Sequence, residues 1–278
     1  MSRRIRRGFW LSLHYLLLGL AFTYLLFPFI WMFLTSVLPE ADLTSLPPKI
    51  NLASFSLASY GELLTDPSFT YTMWNSTIVA VSTTLICIGV GSLAAYAVAR
   101  FRFPGDRAFM LTILATQMVP VIVLAVPLFT ILNSIGWLDT HQGLILTYTA
   151  FILPLVIWIL SGFFEDISPS LERAARIDGC TRLQALVWIV MPLTATGLAA
   201  TAIFAFITAW SDFFLALVLT SEDAKTLPVR AAEFQGLFAL DYKGAATAGV
   251  ITTMPVLLLA LAFQRYIIKG LTEGGVKG

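Results

Sequence analysis

The chain has 278 residues, a formal net charge of +1, and a mean hydropathy of +0.85, with 58% hydrophobic and only 12% charged residues. An ordinary soluble globule holds about half apolar and about a quarter charged residues, so this composition excludes one. Apolar runs of about 20 residues recur, each long enough to cross a hydrocarbon core of about 30 Å as a helix, and none shows the alternation of barrel strands. The expectation is an all-α polytopic membrane protein.

The first run, 9–38, follows Arg3, Arg4, Arg6 and Arg7. It is too long for the apolar region of a secretory signal and ends without a small-x-small cleavage site, so it reads as a retained span. The stretch 39–69 is rich in Pro, Ser and acids and reads as an exposed loop. A second span covers 70–99, and within it "GVGSLAAY" (Gly89–Tyr96) reads as a close-packing surface. The Pro-Gly turn "FRFPGD" leads to a third span, 107–133; "NSIGWLDTHQ" connects it to a fourth, 142–164. A charged segment, 165–184, precedes a fifth span at 185–219, a loop at 220–243, a sixth span at 244–268 and a tail at 269–278.

Basic residues fall on one side of this arrangement. One side receives the N-terminal arginines, then Arg100, Arg102 and Arg107, then Arg173, Arg176 and Arg182, then Arg265, Lys269 and Lys277. The other receives Lys49, Lys225, Arg230 and Lys243. The positive-inside rule therefore predicts six transmembrane helices with both termini and the charged segment in the cytoplasm.

Several chemistries are missing. The sequence holds no phosphate-binding GxxxxGK[ST] loop, no HExxH and no CxxC, so nucleotide, metal and thiol redox sites are not expected. His14 and His141 read as polar interfacial residues, and Cys87 and Cys180 as small half-buried ones. No catalytic residue and no nucleic-acid partner are expected. Asp212, inside the fifth span, is the clearest intramembrane ionisable residue. Either it faces a polar pathway or holds a broken helix open by accepting backbone hydrogen bonds, or it bonds to a neighbouring helix. Asn75 and Gln117 are weaker pathway candidates, of a type that more often serves helix–helix hydrogen bonding. Prolines 120, 127, 154, 192 and 255 lie within or at the start of spans, where they can kink helices.

In the charged segment, "SLERAARIDGCTRLQALVWIVMPL" predicts a short surface helix over Pro169–Ile177. Ser168 or Ser170 would cap its start, Glu172 would sit where the helix dipole favours an acid, and Gly179 would stop it. The alternative is a solvated loop. Ala175 and Gly179 share a face with Glu172 and Arg176, and small residues there let another backbone approach closely.

"ERAARIDG", followed ten residues later by Ile189 and then Val190, Met191 and Pro192, resembles the Glu-Ala-Ala motif of ABC importer permeases. Ala174, Ala175, Gly179, Ile189 and Pro192 match in register; Arg173 stands at the usual Glu position, and Met191 at the usual Leu. Asn75–Gly105, Gln117–Phe129, Gly143–Tyr148 and the ending Gln264–Gly278 are similar to blocks of carbohydrate-importer permeases, in particular the smaller permease of maltose-type transporters. The resemblance covers essentially the whole chain, read as a single permease domain over 1–278.

The resemblance implies a sugar-importer permease in a prokaryotic inner membrane that binds no cofactor itself. Its implied partners are a second, different permease, two ATPase subunits that hold ATP and Mg, and an extracytoplasmic solute-binding protein. It also implies that Glu172, Arg173, Ala174, Ala175, Asp178, Gly179 and Pro192 couple to the ATPase, with Glu172 and Arg173 both open as the decisive contact. Gly274, Gly275 and Lys277 would form a second ATPase contact, and Glu233, Phe234, Gln235 and Gly236 a scoop-like loop toward the binding protein. A permease for a non-sugar solute shares the motif. An independent secondary transporter would need more intramembrane acids or a repeat of broken helices.

Overall fold

The structure, a computed structural model, describes residues 3–43, 45, 49–101, 104–234, 236 and 241–273. It is helical, with no strand among the described residues. Four helices are long and apolar enough to cross a membrane: Trp10–Val37, Pro67–Arg100, His141–Glu165 and Tyr242–Arg265. Two sharply bent helix pairs would bring the number to six if each counts as one span. The chain divides into two compact units, Met1–Pro67 with Ala231–Met254, and Ser68–Arg230 with Pro255–Gly278.

The first unit is built on α1 (Arg3–Val37), whose apolar face stays largely uncovered by its own chain. The segment read as a loop is structured: it holds α2 (Glu40–Leu43), a 3-10 turn at Leu52–Ser54 and α3 (Ala58–Thr65). Two bonds tie it to the end of α1. The Ser36 hydroxyl lies 2.6 Å from the Tyr60 hydroxyl, and Ser56 N–H donates to the Val37 carbonyl at 2.9 Å.

In the second unit, α4 (Pro67–Arg100) buries a stripe of mostly small residues that includes Ser76, Ala80, Thr83, Cys87, Gly91 and Ala95. The three- and four-residue spacing puts them on one face of the helix. That face meets α7 (His141–Glu165): a methyl group at Gly91 would sit 2.7 Å from Val156 Cγ1. Gly89, two residues earlier, faces open space, so only one glycine of the expected packing surface makes close contact.

The expected third span is two helices, α5 (Asp106–Thr116) and α6 (Val121–Ser134), meeting at 88°. Pro120 has no N–H to continue the ladder and disfavours helical backbone at Val119. The freed groups are satisfied by tighter turns, Gln117 N–H to Leu114 and Met118 N–H to Ala115, while Gln117 Nε2 donates to the Phe151 carbonyl of α7.

After α7 come the short α8 (Pro169–Ile177) and then α9 (Arg182–Ala185), which runs through a π-helical turn (Leu186–Val190) into α10 (Met191–Leu193). The expected fifth span is likewise interrupted. Arg182–Leu193 meets α11 (Ala195–Ser211) at 85° around the buried Thr194, whose hydroxyl donates to the Val190 carbonyl at 2.8 Å. A second break at Asp212–Phe213 precedes α12 (Phe214–Leu219). Proline at 192 and the π turn before it are ordinary causes of such a kink. Helix α11 packs on α7 through Gly197, where a Cβ would meet the Phe163 ring at 2.5 Å.

The region read as a loop at 220–243 holds α13 (Leu227–Glu233), and α14 (Tyr242–Glu273) completes the chain. The four continuous spans lie within a few residues of their expected bounds.

A side chain at Gly197 must displace an aromatic ring, and overpacking of this kind costs about 1–3 kcal/mol. Gly197→Val is expected to lower the thermal stability of the detergent-solubilised protein clearly, and Gly89→Ala to leave it unchanged. Differential scanning fluorimetry on both variants checks this.

Candidate functional site

Helix α8 forms as its sequence dictates. Ser168 caps the start, accepting from Ser170 N–H, and Pro169 occupies a first-turn position where no donor is needed. At the other end, Cys180 N–H donates to Ala175 and Gly179 N–H to Arg176, the paired bonds of a Schellman stop. The stop needs a left-handed residue, and Gly179 supplies it with φ +96°.

Only Glu172 and Ala175 of α8 are buried, and both face the chain's own helices. Glu172 is 6% exposed and fully engaged: Tyr96 Oη donates to its Oε2 at 2.8 Å, and Arg100 Nε donates to its Oε1 in a close ion pair. Arg100 also donates from Nη2 to the Ile167 carbonyl at 2.9 Å. The end of α4 and the start of α8 are therefore one polar assembly. Removing one member of such a buried pair costs about 3–5 kcal/mol, because the other charge is left without a counterpart.

Arg173, Ala174, Arg176 and Asp178 are exposed. Beside them lies a cleft of about 200 Å³ lined by Tyr96, Arg100, Phe101, Pro169, Glu172, Arg173, Arg176 and Arg182. The Arg182 guanidinium stacks 4.5 Å above the Phe101 ring, and Tyr96 meets that ring edge-on. Pro192 lies on α10, beyond the π turn.

Asp212 sits at the second break of the fifth span. Its Oδ1 accepts from Leu215 N–H at 3.0 Å and Ala216 N–H at 3.2 Å, closing the start of α12, and from Tyr148 Oη of α7 at 2.9 Å. Both structural options open in the sequence are realised together: it holds a broken helix and bonds to a neighbour.

Near the start of α7, about 10 Å along the helix from Tyr148, a second assembly holds residues 221–227. Asp139, itself left-handed at φ +54°, accepts from the backbone of Ser221, Glu222, Asp223 and Ala224 and from the Ser221 hydroxyl, all at 2.7–3.0 Å. Burial pushes this carboxyl upward, but the donors from Glu222, Ala224 and Ser221 outweigh it and hold the group well below the usual carboxylate range. Asn75, 1% exposed, donates from Nδ2 to the Asp223 and Lys225 carbonyls, both at 3.0 Å. Its Oδ1 must then accept, which assigns the proton to His141 Nε2, 2.8 Å away. Ser76 Oγ accepts from Leu227 N–H at 2.7 Å.

The polar groups of Asn75 are thus all used within the chain, and His141 is more than an interfacial residue. Gln117 holds the α5–α6 corner. For Asn75 and Gln117 the helix–helix option is the one seen; the specific partners are remote in sequence, and they and the role of His141 are invisible to periodicity. Tyr96, Tyr148 and Asp139 were not singled out at all; Arg100 was noted only for its charge. Glu233 ends α13, and the Phe234 carbonyl accepts from Asp241 N–H at 3.2 Å, while Gly236 is exposed. Gln235, Gly274, Gly275 and Lys277 lie outside the described residues. No group of three or more metal-ligating side chains occurs among the described residues.

Residues 87–273 match the family described as the binding-protein-dependent transport system inner membrane component, and the chain belongs to that family. It is 39% identical over 257 residues to the trehalose/maltose transport system permease protein MalG of Thermococcus litoralis, covering 91% of this chain and 92% of that one. It is 40% identical over 276 residues to the trehalose transport system permease protein SugB of Mycobacterium tuberculosis, covering 98% of each. In fold it resembles a chain of a bacterial ABC transporter involved in import of the acidic polysaccharide alginate, with a TM-score of 0.80 and 24% identity, covering 96% of this chain and 98% of that one.

Replacing Asp139 with Ala removes the acceptor for the whole 221–224 turn. Amide exchange there is expected to rise at least about tenfold, the equivalent of one or two charge-assisted hydrogen bonds. Because the folded carboxyl titrates below its unfolded range, its contribution is complete above about pH 4–5 and is lost only as pH falls through the depressed value. The difference between wild type and variant in hydrogen-exchange mass spectrometry is therefore expected to be flat between about pH 5 and 8.

Proposed function

We propose that this chain is one of two dissimilar permease subunits of an ABC importer that carries a sugar inward. The substrate class is an oligosaccharide, a disaccharide or a related polyol or sugar phosphate, handed over by an extracytoplasmic solute-binding protein. Two partner ATPase subunits bind and hydrolyse ATP with Mg, and this chain is non-catalytic. The observation that carries the reading is the near-full-length similarity, at about 40% identity, to permeases named for trehalose and maltose transport.

In this reading each bent helix pair is one span, which gives six, and the arginine-rich ends face the cytoplasm with both termini. Helix α8 is the coupling helix, presented to the ATPase by its outward residues and by the sharp turn at Gly179. Movement of the ATPase reaches the membrane by two routes: through Glu172 and Arg100 into α4, and through α9, the π turn and Pro192 into α11. The tail residues Gly274, Gly275 and Lys277 make a second ATPase contact. The loop following α13, including Glu233, Phe234, Gln235 and Gly236, reaches toward the binding protein. Asp212 and Tyr148 keep the fifth span broken along the transport route.

Gly179 supplies the test, since a Cβ there meets nothing within 4 Å and a substitution acts only through the backbone. A β-branched residue in this conformation is strained by about 1–3 kcal/mol, whereas Asn adopts it readily. In proteoliposomes holding the complete importer, Gly179→Val is expected to abolish sugar-stimulated ATP hydrolysis with normal membrane levels, and Gly179→Asn to retain most of it. Full transport by Gly179→Val would sink the coupling role.

A further inference from the structure

We infer that the cleft beside α8 receives an acidic side chain of the ATPase subunit. The inference rests on the coupling role proposed for α8 and adds the chemistry of its partner. The helix contains one acid, Glu172, and both its oxygens are taken by Tyr96 and Arg100 inside the chain. Glu172, 6% exposed and engaged through both oxygens inside the chain, is withdrawn from an outside partner. The exposed charges on α8 itself are cationic, with Asp178 just past its end: Arg173 and Arg176 are exposed, and no carboxylate among the described residues forms an ion pair with either.

The cleft gives those charges a shape. The Arg182 guanidinium carbon lies 4.5 Å from the Phe101 ring centroid, and the exposed group has no carboxylate partner among the described residues, which leaves its donors for a two-point partner. Arg173 and Arg176 line the same cleft, and the one acid in its wall is already neutralised by Arg100. Three guanidinium groups around about 200 Å³ suit one inserted Asp or Glu side chain. An anionic lipid headgroup offers similar chemistry, but a helix that binds a bilayer needs a continuous apolar stripe beside its cations. On α8 the exposed large apolar residues are only Leu171 and Ile177, near its two ends, with the arginines between them. That pattern favours a protein groove.

The test uses the complete importer in lipid nanodiscs. In Arg173→Lys, a carbodiimide activates a nearby carboxyl as an O-acylurea; the lysine amine displaces it, an amide forms and a urea leaves. The expected product joins this chain to the ATPase at a Glu or Asp found by mass spectrometry. The Arg173→Glu/Arg176→Glu double variant is expected to lose at least about tenfold of sugar-stimulated ATP hydrolysis. Placing Arg at the crosslinked ATPase position should restore much of it. The inference is overturned if the ATPase co-purifies but gives no crosslink, or if the double variant keeps wild-type stimulation. It is overturned in favour of lipid if wild-type stimulation requires anionic lipid and the double variant matches wild type in phosphatidylcholine alone. Should the wild-type chain fail to associate with an ATPase at all, the coupling role itself fails.

Discussion

The charge pair between Glu172 and Arg100, completed by Tyr96, is the contact on which the placement of α8 depends. A nine-residue helix is too short to be stable alone and needs a surface to hold it. The buried carboxylate provides that hold, and Ala175, one turn further along, lets the helix lie close. Once α8 is fixed at its inner face, its outer face is fixed as well. Fixing Glu172 also fixes where the exposed Arg173 and Arg176 stand at the rim of the cleft.

The same logic recurs wherever a helix is interrupted. A break inside lipid leaves backbone groups that water cannot satisfy. Asp212 closes the start of α12 and Thr194 returns its hydroxyl to Val190, while Gln117 pins the α5–α6 corner to α7. Helix α7 is common to two of these, since it supplies Tyr148 to Asp212 and the Phe151 carbonyl to Gln117. It also receives the close approaches of α4 at Gly91 and α11 at Gly197. Its first residue, His141, braces Asn75, and the residue after its end leads to α8. A single continuous helix thus carries the registration of both polar ends of its unit.

Much of this was legible in the sequence. Hydropathy located the four continuous spans, and the Ser-Pro start with a glycine stop located α8 over the residues it occupies. These are local signals, set by one residue's neighbours in the chain. The bends at Pro120 and Thr194 were only half legible. Proline marks where a ladder fails, but TM helices often absorb one with a slight kink, and an 88° corner needs the α7 contact at Phe151 to hold it. The pairings of Glu172 with Arg100, Asn75 with Asp223 and Asp139 with Ser221 join residues 72 to 148 positions apart, and no periodicity reports them. Asp139 is the sharpest case: in the short connection before α7 it looks like any turn acid, yet it organises a segment more than eighty residues away.

The central claim is that α8 and the end of α4 move as one body. Double electron–electron resonance between spin labels at Leu93→Cys and Ser170→Cys, with Cys87→Ala and Cys180→Ser, measures it in the assembled importer. Both labelled positions are exposed, one on α4 and one on α8. The account predicts one narrow distance distribution, the same without nucleotide and with ATP bound, and a broadened one in Glu172→Ala. A distance that shifts on ATP binding, or that stays narrow in Glu172→Ala, would contradict it.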